Sequence, residues 1–167
     1  MWCSRTLALA LAAITSVAGS VWAGENADLA RQLRAAVKPL LAPSPGDEDG
    51  NRPLVEVMGI TARVAERAGL PSEVVARLRE AHAVWSQSTN DLPHPAAKAA
   101  LGEAYAALHG GRPFAFPPSV RTIDEAREVC RQAIDGAAAA LEAGRSPEAT
   151  RGMVEFILLV ATPMEAK

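Results

Sequence analysis

The chain has 167 residues, 49 % of them hydrophobic and 22 % charged, with 17 Lys+Arg against 19 Asp+Glu. This length suits one domain. The resulting charge of −2 offers no basic excess to hold a phosphate backbone, which argues against nucleic acid as a partner.

The N-terminus reads as an export signal. Arg5 supplies a positive charge, an uncharged apolar run follows from Thr6 to Gly19, and Val21-Trp22-Ala23 places Val21 and Ala23 at the −3 and −1 positions of a cleavage site. A charged start, an apolar middle and a small-residue end are the three parts of a secretory leader. A retained membrane anchor is the competing reading, since the run is almost long enough to span. Gly19 and the small residues oppose it, because a peptidase needs extended chain there. Cys3 precedes the apolar run and so is not placed as a lipid acceptor. Cleavage leaves residues 24–167 as a single helical domain. Without Arg5 the count is 16 basic against 19 acidic side chains, a net charge of −3. Only Cys130 remains, so an intramolecular disulfide is impossible and the fold must rest on its apolar core. These features point to a periplasmic or secreted bacterial protein with no stable membrane span once cleaved.

The mature region lacks sustained period-two alternation, whereas helical spacing recurs throughout. The first helix is expected over Asn26–Leu41, with Leu29, Leu33, Val37 and Leu40 or Leu41 on one stripe, and with Pro39 kinking or ending it. An acidic, Pro- and Gly-rich loop covers Pro43–Arg52. The second helix opens near Pro53, carries Leu54, Val57, Thr61, Val64 and Ala68, and stops at Gly69. The third starts around Pro71 and places Val75, Leu78, His82 and Trp85 on a face, before the polar run Ser86–Asp91. The fourth spans about Pro95–His109 with Ala97, Leu101, Ala104, Tyr105 and Leu108 inward, and ends at Gly110-Gly111. A loop containing Pro and Phe follows, Gly111–Ser119.

The fifth helix opens on a capping box, Thr122-Ile123-Asp124-Glu125. Its stripe is Ile123, Ala126, Cys130, Ala133, Ala137 and Leu141, and Gly144 closes it. The sixth starts at Ser146-Pro147-Glu148 and finishes in Phe156-Ile157-Leu158-Leu159-Val160-Ala161, apolar on every side. Six residues are too few to span a bilayer, so this run is either the buried centre of the domain or half of an interface. In the second case self-association would run through Phe156, Ile157 and Val160. Short connections imply antiparallel neighbours, and the fold class expected is all-α, a small up-and-down bundle of about six helices with the sixth at its centre.

The chemistry-bearing residues are sparse. Asp47, Asp49 and Asn51 have the alternate spacing of calcium-loop ligands. Arg52 then stands at the sixth position, where the turn needs Gly, and Met58 at the twelfth, where a bidentate Glu belongs. His82, His94 and His109 are the only imidazoles, and none is spaced i, i+4 from another or paired with a C-x-x-C. No C-x-x-C-H exists for covalent haem. A b-type haem would need His82 with Met58 or Met153, and residue type alone speaks for it. Cys130 lies on an apolar stripe with Glu125 and Glu128 near in sequence, and acids raise a thiol pKa rather than activate it. No Ser-His-Asp set or phosphate-binding glycine loop is present. No catalytic, metal or cofactor residue is therefore assigned.

The segment Arg112-Pro113-Phe114-Ala115-Phe116-Pro117-Pro118 holds two of the five mature aromatics, a composition that suits either a partner anchor or a closure of the bundle's open end. Gly69-Leu70-Pro71-Ser72-Glu73-Val74-Val75-Ala76-Arg77-Leu78 resembles the helix opening of exported stress chaperones and metal sensors of the LTxxQ kind. The resemblance covers ten residues without the defining Thr and Gln, so it carries over no functional residue. The function expected is an exported, non-catalytic module that binds a protein partner or a small apolar ligand, with Phe114, Phe116, Trp85 and His82 as contact candidates. The alternative is a periplasmic metal-responsive, metal-binding or chaperone-like helical protein.

Export should remove residues 1–23. An intact mass beginning at Gly24 is the expected result for exported protein, and material that starts at Met1 or stays in the membrane fraction would refute the reading.

Overall fold

The computed structural model describes residues 24–41, 51–88 and 94–162. The leader and the acidic stretch Asp47–Gly50 lie outside them. The described residues form six helices and no strand, an all-α bundle: α1 (24–41), α2 (Asn51–Arg67), α3 (Ser72–Ser86), α4 (Pro95–Leu108), α5 (Ile123–Glu142) and α6 (Ser146–Ala161). No described helix is long and apolar enough to cross a membrane.

Local chemistry sets most of the boundaries. Residues 39–41 are still helical, so Pro39 does not stop α1 at once. Gly69, Gly110, Gly111 and Gly144 have positive φ and follow the ends of α2, α4 and α5, where the left-handed conformation frees no Cβ to clash. At the start of α5 the Thr122 hydroxyl accepts from the Glu125 amide at 3.2 Å, and the Glu125 carboxylate accepts from the Thr122 amide at 2.9 Å. A second bond from the Arg121 amide, at 2.7 Å, helps to hold the Glu125 carboxyl below its ordinary pKa. At α4 it is the His94 ring that caps, its Nδ1 accepting from the Ala96 amide at 3.3 Å.

The helices run alternately up and down. Arg79 on α3 pairs with Glu66 on α2 at 2.6 Å, and Arg77 on α3 pairs with Glu103 on α4 at 2.6 Å. Glu25, at the start of α1, reaches Arg67, at the end of α2. Each of these exposed pairs adds little stability, but together they report the register. Helix α6 packs against α2, α4 and α5. Its hairpin with α5 is very close: a Cβ added at Gly152 would lie 3.1 Å from both the Ala133 carbonyl and the Ala137 Cβ. Small residues on both helices let the backbones approach and bring the apolar end of α6 into the interior. There Met153, Val154, Phe156 and Ile157 are completely buried.

Several stripes differ from the sequence expectation. On α3 the buried positions are Val74, Leu78, Ala81 and Trp85; Val75 and His82 are only half-buried. The face is turned by about one residue, because α3 is shared between α2 and α4. On α4, Ala100 is buried and Tyr105 half-buried. Ala68, expected on the α2 stripe, falls just past the end of that helix and is half-buried, whereas Met58, Ile60 and Ala65 join the core. The largest departure is Ile123, which is 66 % exposed. Helix α5 has 20 residues and its partner α6 has 16, so the first turns of α5 overhang the bundle. Nothing before Cys130 on α5 is buried.

Of the three residues considered for self-association, Phe156 and Ile157 are fully buried and Val160 is 38 % exposed. Phe156→Ala should therefore cost about 3–5 kcal/mol, a large part of an ordinary domain's stability. Thermal melts with light scattering check this, and an unchanged melting temperature with a changed molecular mass would overturn it.

Candidate contact site at one end of the bundle

The same register gathers one set of chain ends. Helix α2 ends there and α3 begins; α4 ends there, and residue 24 of α1 lies close by through the Glu25–Arg67 pair. Helix α6 arrives with its C-terminus, since the Glu155 charge acts on Tyr105 of α4. The segment between α4 and α5 crosses this end without regular structure.

An aromatic cluster is built on it. The rings of Tyr105 and His109, four residues apart on one helix face, stack with centroids 3.9 Å apart and planes 18° from parallel. His109 Nδ1 lies 3.0 Å from the Tyr105 carbonyl oxygen. A carbonyl can only accept, so this contact puts a ring proton on Nδ1. Phe114 meets Tyr105 edge-on at 5.3 Å, with planes 88° apart, an arrangement that suits the ring quadrupoles. Burial, with the nearby Glu155 carboxylate, raises the Tyr105 phenol above its ordinary pKa. Phe114 and Phe116 are both half-buried and pack against the core. The rings thus partly close the end of the bundle and partly remain at its surface.

The other two contact candidates lie elsewhere. Trp85 is 1 % exposed and belongs to the core. The His82 ring sits against α2: its Nε2 is 3.1 Å from where a Cβ on Gly59 would be, so it fills the notch left by the missing side chain. Because Arg77 stands opposite Glu103, Trp85 lies about ten residues, roughly 15 Å of helix, from the level of Tyr105. The structure separates Trp85 and His82 from the Phe loop. It joins Tyr105 and His109 to that loop instead. Their i, i+4 spacing was legible, but the return of Phe114 onto Tyr105 across two glycines was not. His94 and His109 cap opposite ends of α4. Among the described residues no three His, Cys, Asp or Glu side chains converge where a metal ion could be held.

Cys130 is buried, and desolvation pushes its thiol pKa up to about 11. What the cluster and its surroundings define is an all-α bundle with an aromatic surface at one end. No protein-family model matches the chain, and no curated protein or solved structure is significantly similar to it.

Cys130 should react slowly with a thiol reagent in the native state and quickly in denaturant; equal rates would refute its burial. Its folded pKa is raised above the unfolded value, so this contribution to stability is intact below the unfolded pKa, near pH 9, and is lost as pH rises toward about 11. Denaturant midpoints measured across that range should fall in the native protein and fall less in Cys130→Ala.

Proposed function

We propose that this chain acts outside the cytoplasm as a non-catalytic helical binding module, and that its contact surface is the segment between α4 and α5. The observation that carries the reading is the edge-on seat of Phe114 on the stacked pair Tyr105–His109. It fixes one part of an otherwise irregular loop to a rigid helix end. A contact surface fixed in this way loses less conformational entropy on binding than a free loop. The interior supports an external contact, because large side chains already occupy it: Trp85, Phe156, Leu101, Met153 and Leu141 are all buried. The leader read from residues 1–23 supplies the route out of the cytoplasm.

A photo-crosslinking phenylalanine analogue in place of Phe116 tests the reading in exporting cells. A discrete adduct is expected from this position and none from an analogue at exposed Gln132 on α5. Equal yields from the two positions, or none from position 116, would sink the assignment of the surface.

A further inference from the structure

We propose that the contact segment is a strap with one firm anchor and one releasable anchor: the first two turns of α5 open as a unit while the rest of the bundle stays folded, and their opening frees the chain from Pro117 to Glu128. This rests on the reading that the α4–α5 segment is the contact surface, and it adds how the reach of that surface is controlled.

The start of α5 differs from every other helix start among the described residues. Each of the other helices buries a residue within its first turn: Asn26 on α1, Leu54 on α2, Val74 on α3, Ala97 on α4 and Ala149 on α6. On α5 the first buried residue is Cys130, two turns in. Ala126 and Val129 are half-buried, and Ile123, Asp124, Glu125, Arg127 and Glu128 are exposed. The partly buried hydrophobic residues packed against the core include Phe114 and Phe116 on one side and Val129 on the other, and none between them. A segment with so few buried contacts opens locally, at a free energy well below that of the whole domain.

The side-chain bonds within these turns are short in range. Asp124 pairs with Arg127, Glu128 pairs with Arg131, and the Gln132 amide donates to Glu128. Exposed pairs of this kind contribute little, and so short a stretch forms no stable helix by itself.

What closes the turns is the capping box. The Glu125 carboxylate accepts from the Arg121 amide at 2.7 Å and from the Thr122 amide at 2.9 Å, and the Thr122 hydroxyl accepts from the Glu125 amide at 3.2 Å. These bonds satisfy amides that a helix start leaves without partners. They also tie Arg121, at the far end of the contact segment, to the helix. The near end is held by packing instead: Phe114 meets Tyr105, whose ring stacks on His109. Opening of the first two turns therefore releases Arg121 and leaves Phe114 and Phe116 in place. Glu125 is the latch of the strap, and the aromatic pair is its hinge.

Amide hydrogen exchange of the exported protein, read residue by residue by NMR, tests the proposal. The amides of Arg127, Glu128, Val129 and Cys130 bond back to the first turn. They should exchange together, about a hundredfold faster than those of Val154, Phe156 and Ile157, and with little dependence on low urea. The matching second turn of α4, Ala99 to Gly102, should be slower, because Ala100 and Leu101 are buried. Thr122→Ala and Glu125→Ala should each speed exchange at Arg127–Cys130 about fivefold, with the helical content by circular dichroism otherwise kept. Glu125→Gln retains an acceptor for the box and should change the rate much less. Exchange at Arg127–Cys130 as slow and as urea-dependent as at Val154–Ile157 would overturn the proposal. So would rates that ignore the loss of the cap, or that respond equally to Glu125→Gln. These rates are measured without a partner, so a missing adduct from position 116 would remove the contact reading and leave the opening of α5 standing.

Discussion

The approach of α5 and α6 at Gly152 is the constraint on which the rest of the structure depends. With Ala137 on the facing helix, the absence of a side chain lets the two backbones come almost into contact. A methyl group at this point would require α6 to move outward by a few tenths of an ångström or more. Helix α6 also touches α2 and α4, so such a shift would be felt across the bundle, because close-packed interiors transmit strain. Ala-rich stripes give thin contacts elsewhere. Helix α6 contributes Met153, Phe156, Ile157 and Leu158 to the largest fully buried side chains, and Leu33, Met58, Ile60, Leu78, Trp85, Leu101 and Leu141 join them from the other helices.

That central position has a consequence at the surface. Helix α6 ends at Ala161, while α5 is four residues longer and has nothing buried before Cys130. Ile123 carries the inward stripe of α5 into solvent. The same mismatch in length leaves an open end over which the α4–α5 segment crosses. The aromatic cluster covers part of that opening: Phe114 is fixed to Tyr105, and Tyr105 is fixed by stacking on His109. The contact surface thus follows from unequal helix lengths rather than from a dedicated motif.

Buried and exposed chemistry are cleanly divided. The thiol of Cys130 is desolvated and kept protonated, and the buried hydroxyls of Thr61 and Thr150 donate back to the carbonyls of Val57 and Ser146. These groups are satisfied within their own helices or are inert. The ion pairs lie along the outer faces of the helices, as with Arg34 and Glu142 at 2.6 Å. Arg112 and Arg121 lie at the two ends of the aromatic segment.

The sequence by itself determined the helices, the capping box of α5, the glycine stops and the apolar run of α6. Those features depend on residues close together in the chain: a capping box needs Thr122 and Glu125, a helix stop needs Gly69 or Gly144, and an apolar run such as Phe156–Ala161 is legible without its neighbours. Only the tertiary structure decided which face of α3 turns inward, that Trp85 and His82 lie well away from the Phe loop, and that Ile123 is left uncovered. Those outcomes depend on the register between helices. Register is set by contacts such as Gly152 on Ala137 and Gly59 under His82, which join residues from different helices and leave no periodic trace in either one.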